Sequence, residues 1–398
     1  MAAPCFVYDM PVESNLIYLD NAATTCLCEE ALAAMQPCFT GIYANPSSLH
    51  GAARAARQLV EKARREIASL IGADTGEVYF TSGGTEGDVT VLRSAAHAGD
   101  TALCPLIAAS AVEHHAVLET LSRMEREGIC RTALIAPNAD GVITEESVRR
   151  FLIEHPGTTL VSVMACNNET GAVMPIRAIS TVCHEHGALV HTDAVQMMGH
   201  MPVDVHALGV DYLTASAHKF HGPKGCGLLY VRKGAPFLPL LTGGKQELEH
   251  RAGTENVPGI VGMQAALKLA CDSMERDAAR MTELRTRLEE GILENVSGST
   301  LHAERAARHP GIASFRFSGI EAEQLLILLD MNGICASGGS ACTAGSLEPS
   351  HVLLAMGVAP AEARGAVRFS LSRYTTEEEI DCAIKAVIRS VSALRGNR

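Results

Sequence analysis

Between about residues 52 and 231, short apolar runs alternate with amphipathic stretches, and this alternation constrains the fold more than any other feature. Ala56, Leu59, Val60, Ala63, Ile67 and Leu70 recur at helical spacing until Gly72 ends the run. Val78-Tyr79-Phe80 then reads as a strand, and further strands are expected at Leu106–Ala109, Thr159–Met164, Ala188–His191, Asp211–Thr214 and Gly227–Val231. Helices are expected between them, including Glu145–Glu154 with Thr144 as N-cap and Ile176–His186 closed by Gly187. Strands separated by helices imply an α/β protein whose mostly parallel sheet is covered on both faces.

The texture changes near residue 263. A long amphipathic helix is expected over Met263–Asn295, then a strand at Ile312–Phe317, a helix at Glu321–Asp330 and a strand at Val367–Leu371. The expected division is a large domain over residues 16–262 and a smaller α+β domain over 263–398, joined by the N-terminal arm 1–15. Of the 398 residues, 47% are hydrophobic and none is Trp, so aliphatic side chains must fill the core. A formal charge of −12 argues against direct nucleic-acid binding, which needs a basic stripe. No run of 18 apolar residues suggests a membrane span, and no secretory leader is evident. Thirteen scattered cysteines without metal-ligand spacing fit a reducing cytoplasm, most of them as small buried hydrophobes, and no metal site is expected.

Three segments carry chemistry. Lys219 lies in Ser216-Ala217-His218-Lys219-Phe220-His221-Gly222, just after an expected strand, where a lysine amine can form a Schiff base with an aldehyde. Alone it reads more readily as a surface lysine in a Gly/Pro turn. Asp193 ends the strand leading into His191-Thr192-Asp193-Ala194-Val195-Gln196, at the sheet edge where open α/β folds bind ligands. A carboxylate there can hold a pyridine nitrogen protonated, or can simply cap the next helix. Thr81-Ser82-Gly83-Gly84-Thr85-Glu86-Gly87 is a glycine-rich turn between strand and helix, suited to a phosphate but matching neither common nucleotide motif. Together the three fit a pyridoxal 5'-phosphate (PLP) site.

With these segments in place, the chain resembles the cysteine desulfurases of the nitrogen-fixation and iron–sulfur-cluster type, within the class-V aminotransferase-like, fold type I PLP enzymes. The resemblance runs from Tyr18-Leu19-Asp20-Asn21-Ala22-Ala23 through Asn45-Pro46-Ser47-Ser48-Leu49-His50, Glu113-His114 and Asn167-Asn168-Glu169-Thr170-Gly171. It continues through the Asp193 and Lys219 segments to Arg251-Ala252-Gly253-Thr254-Glu255-Asn256, Ser337-Gly338-Gly339-Ser340-Ala341-Cys342-Thr343 and Val367-Arg368-Phe369-Ser370. It implies that Lys219 holds the cofactor, Asp193 pairs with the ring nitrogen, Gln196 bonds the ring hydroxyl and His114 stacks on the ring. Gly84, Thr85, Ser216 and His218 would hold the phosphate, with Thr254 reaching in from the second subunit of a homodimer. Asn168, which also borders the cofactor, and Arg368 would grip the carboxylate of L-cysteine. His115 is expected to be a solvated neighbour of His114, and Arg368 alone also reads as a surface ion-pair partner.

The implied reaction converts L-cysteine to L-alanine and leaves sulfur on Cys342 as a persulfide. It would supply an acceptor such as an iron–sulfur cluster scaffold or another sulfur-containing cofactor pathway. Cys342 lies among Gly338, Gly339, Ser340, Ala341 and Gly345, a permissive polar setting for a thiolate nucleophile, whereas Cys335 beside Ile334 reads as a core cysteine. Another PLP enzyme, such as a selenocysteine lyase or transaminase, and a catalytically silent interaction platform are the competing readings. The chain departs from the family pattern at Leu248-Glu249-His250, at Val89 and at Cys26.

Overall fold

The computed structural model describes residues 16–98, 104–338 and 349–396. Its main sheet has seven strands in the spatial order Val78–Thr81, Gly227–Val231, Tyr212–Ser216, Leu189–Asp193, Thr158–Ser162, Leu106–Ser110 and Arg131–Ile135. Only Gly227–Val231 runs antiparallel to its neighbours. Most of these strands are buried along their whole length, as expected for a sheet sandwiched between helices. On one face pack Ile67, Val148, Ile179 and Leu267; on the other, Leu92, Val117 and Leu121.

The C-terminal third builds a second, antiparallel sheet in the order Ser337–Gly338, Ala366–Ser370, Ile312–Phe317 and Ser299–Leu301. Phe315, Phe317 and Phe369 pack there against Leu288, Ile292 and Val387 from the long helices. Leu19 joins this same cluster, because Ile17–Tyr18 pairs with Ile334–Cys335 and Ser370 donates its N–H to the Leu19 carbonyl at 2.7 Å. The N-terminal segment is thus tied to the last strand.

Most expected elements appear within a residue or two, with Thr144 capping Glu145–Glu154 and Gly187 in the left-handed region after Ile176–Glu185. Two differences stand out. The single helix expected over Met263–Asn295 is two, Val257–Asp272 and Met274–Asn295. The break falls at Ser273, whose hydroxyl lies 2.8 Å from both Leu269 O and Asp277 Oδ2 and receives a bond from Arg373, so tertiary contacts override a continuous apolar periodicity. The other is Arg131–Ile135, an edge strand with mixed exposure that gives no clean alternation in the sequence.

Candidate active site

The site forms where strand ends of the main sheet release the chain. Leu189–Asp193 and Tyr212–Ser216 are parallel neighbours, with Asp193 beside Thr214. After Ser216 a single 3-10 turn, Ala217–Lys219, brings Lys219 alongside Asp193. Val78–Thr81 feeds the glycine turn and then the helix Gly84–Ala98. A Cβ on Gly84 would stand 2.8 Å from Val195, and one on Gly87 would stand 2.5 Å from Thr214, so only glycine lets this helix start so close to the sheet.

These ends surround a cavity of about 380 Å³. Gly84, Thr85, Ser216 and His218 line one end; Asp193, Gln196 and Lys219 line the floor; His114, Asn168 and Arg368 line the remaining walls. Ten of the twelve residues singled out in the sequence therefore meet in one place. Thr254 does not: it is exposed, on a loop away from this cavity. Cys342 lies outside the described residues.

Lys219 Nζ donates to the carbonyls of Ala22 at 2.6 Å and Ala23 at 2.9 Å, so the N-terminal segment fixes the amine. Burial, then the Lys219 charge, pushes His114 down to about 4 and His218 to about 4, leaving both imidazoles neutral. Burial raises Asp193 to about 6, opposed by the Val195 N–H at 2.8 Å and by the charge of Lys219. Gln196 Nε2 donates to Ala22 O at 2.8 Å.

Arg368 comes from the other sheet, and its ion pair is internal rather than superficial: the residue is 1% exposed. One guanidinium nitrogen donates to Asn168 O and another to Asp20, each at 2.7 Å, while Nε is buried with no hydrogen-bond partner among the described residues. His115 is not merely solvated. It lines the cavity and packs against His351, ring centroids 4.6 Å apart, with His351 Nε2 2.9 Å from Glu113 O. Ser350, beside His351, donates to the buried Glu169 at 2.5 Å.

Asp88 and His351 also line the cavity and escaped the sequence reading, while Glu169 entered it only within the Asn167–Gly171 segment and without a role. His351 gave no local signal, since it reaches the cavity only in the fold. Asp88 did: Gly84, Gly87, Asp88, Val91, Leu92 and Ala95 form one buried stripe of the helix, and a carboxylate within an apolar stripe calls for a partner.

The donor set fits PLP. A helix N-terminus with Thr85, Ser216 and His218, opening onto a cleft also lined by Thr24, Ser82, Gly83 and Lys224, suits a phosphate. A buried carboxylate for a pyridine nitrogen and a fixed lysine amine for an aldehyde complete the set.

Fold and site together define a fold type I PLP enzyme. The chain belongs to the aminotransferase class-V family, whose pattern matches residues 17–382, and within it to the cysteine desulfurases of the NifS and IscS type. A cysteine desulfurase of Cereibacter sphaeroides is 46% identical over 95% of this chain and 96% of its own length. The cysteine desulfurase IscS of Dictyoglomus turgidum is 43% identical over 95% of each. Among solved structures, a NifS-like protein superposes with a TM-score of 0.88 at 36% identity, covering 95% of this chain and all of that one. The protein SspA in complex with cysteine gives 0.78 at 33% identity, covering 90% and 99%.

Proposed function

We propose that the protein takes sulfur from L-cysteine, releases L-alanine and carries the sulfur as a persulfide on Cys342. The observation that carries this reading is the meeting of Lys219, Asp193, the phosphate turn and Arg368 in one cavity of a chain so similar to cysteine desulfurases. Bound PLP supplies an aldehyde for an amino group and a ring that accepts electrons from the substrate α-carbon. Thr85, Ser216 and His218 hold its phosphate, Asp193 its ring nitrogen and Gln196 its ring hydroxyl.

Arg368, already pointed by Asp20 and Asn168, grips the substrate carboxylate through its planar fork. Lys219 removes the α-proton and returns it, with neutral His114 as its neighbour on the cavity wall. The Cys342 thiolate attacks the substrate sulfur: an S–S bond forms, the C–S bond breaks, and its electron pair leaves with the carbon, which takes up a proton to become alanine.

The active unit is a homodimer in which Thr254 of each chain completes the other's phosphate site; its exposure in a single chain supports this. The small domain that carries the Cys342 segment includes the second sheet and the helices packed on it. The enzyme works in the cytoplasm and passes sulfur to an acceptor protein such as an iron–sulfur cluster scaffold. The test is incubation of PLP-loaded protein with L-cysteine and a thiol reductant but no keto acid. Equimolar alanine and sulfide are expected, with a persulfide on the Cys342 peptide when the reductant is omitted. Alanine formed only on addition of a keto acid would identify a transaminase instead.

A further inference from the structure

Two demands on Lys219 pull against each other. Its amine must move, because Nζ sits on the Ala22 and Ala23 carbonyls and has to turn away from them to reach an aldehyde or a substrate proton. Its backbone must stay, because the reach of the amine is measured from it.

The turn that carries Lys219 is pegged to two different parts of the chain. Toward the N-terminal segment, Thr25 gives both its N–H and its hydroxyl to His218 O, each at 2.9 Å, and Cys28 gives its N–H to His221 O at 3.0 Å. The Lys219 carbonyl itself lies 2.9 Å from His200 Nε2. A carbonyl only accepts, so Nε2 carries the proton of the neutral ring. Burial holds this imidazole below its ordinary pKa, opposed by the Lys219 carbonyl and helped by the charge of Arg373.

His200 is itself fixed. It follows Asp193 and Gln196 in a compact turn, with Met198 N–H on Ala194 O and His200 N–H on Met197 O. Gly199, at φ 79, lets this turn meet the lysine turn: a Cβ there would stand 2.5 Å from Phe220 Cβ. The His200 ring packs edge to face with His309, centroids 4.7 Å apart. His309 is 3% exposed and is held by its own bonds: its N–H donates to Gly171 O, its Nδ1 accepts from the Gly311 N–H and its carbonyl accepts from Arg285.

We infer that His200 is a positioning residue: its Nε2–H holds the Lys219 carbonyl as the pivot about which the amine swings, and ties the turn of Asp193 and Gln196 to that of Lys219. This rests on Lys219 being the cofactor lysine, as proposed above.

The test uses the full-length protein with His200→Gln, which offers an amide N–H to the carbonyl, and His200→Leu, which has similar bulk and no donor. PLP is added to each apo protein, samples are reduced with borohydride at timed intervals, and mass spectrometry measures PLP fixed on the Lys219 peptide. His200→Leu should fix it about tenfold more slowly than wild type, and His200→Gln within about threefold, the scale of one hydrogen bond. With cysteine as substrate, His200→Leu should lower kcat by about tenfold and leave KM within about twofold, because Arg368 still grips the carboxylate. Should His200→Leu fail to fold, His200→Asn, whose shorter amide stops short of the carbonyl, takes its place with the same expectations. Fixation by the donor-free variant at the wild-type rate, or by His200→Gln no faster than by that variant, would overturn the proposal alone. Wild type that fixes no PLP on Lys219 would overturn both the proposal and the reading it rests on.

Discussion

Lys219 and Arg368 face the same cavity but are held in different ways. Lys219 follows a central strand of the main sheet by one short turn, and its position is set by the register of Tyr212–Ser216 with strands on both sides. Arg368 lies on the smaller sheet and reaches across to a loop of the main-sheet region at Asn168 and to the N-terminal segment at Asp20. The lysine's backbone is placed by strand register and its amine is held by two carbonyls of one segment, whereas the arginine is placed by side-chain bonds that span three distant parts of the chain. The cofactor end should therefore tolerate little chemical change, while the substrate end should lose affinity before it loses chemistry.

The largest effect is expected for Lys219→Ala. Removing both the cofactor anchor and the proton carrier should cut alanine formation by at least about 10³-fold, while PLP stays weakly bound through the phosphate turn. Alanine assays and the absorbance of bound PLP check both parts, and normal turnover would break the comparison at its stronger side. Arg368→Lys keeps a charge but loses the fork, along with charge-assisted bonds of about 1.5–3 kcal/mol. It should raise the KM for cysteine by roughly 10–100-fold with a smaller change in kcat. An equal fall in kcat at unchanged KM would put Arg368 in the chemical step instead.

Glu113 sharpens the contrast through stability. Burial raises its carboxyl from 4.5 to about 8, against bonds from Ser110 and the Met164 N–H. Folded protein thus binds more proton than unfolded protein between those values, so stability is fullest below about pH 4.5 and declines as pH rises through about 8. Glu113→Gln should flatten that decline, an effect on the order of a few kcal/mol, seen in denaturant midpoints measured from pH 5 to 9. An unchanged slope would mean the proton is not held there.

The smallest effect is expected at a residue outside the cavity lining. Leu248 sits at φ 56 and is 57% exposed, between Glu247 and Glu249, which also have positive φ. Leu248→Gly should relieve strain and stabilise by about 1 kcal/mol or less, read as a small rise in Tm with unchanged cysteine kinetics. A changed KM would place this turn on the substrate path.

How much of this was legible in the sequence follows from the same contrast. Strand ends announce themselves by apolar runs stopping at polar residues, so Asp193, Lys219 and the glycine turn were visible, and so was the order of the main elements. The cross-sheet wall was not visible from local pattern. Arg368 became readable only through resemblance to a family, and the packing of His115 on His351 joins positions that no periodicity connects. The Ser273 break was hidden because its causes, Asp277 and Arg373, act through hydrogen bonds rather than through apolar spacing. Thr254 lies exposed on a loop outside the cavity, and no local pattern in the sequence separates it from the residues that line it.

The bond between Arg368 and Asp20 joins residues 348 positions apart. At synthesis rates of about 5–20 residues per second, Asp20 waits roughly 20–70 s on the ribosome before its partner is made. Leu19, whose carbonyl bonds Ser370, waits as long. The main sheet can fold in that interval, because its strands end at Val231, but the cavity wall that carries Arg368 cannot be completed. A nascent chain able to take up cofactor would thus be unable to draw sulfur from cysteine until its final strand arrives, which spares the cell a reactive persulfide on an unfinished protein.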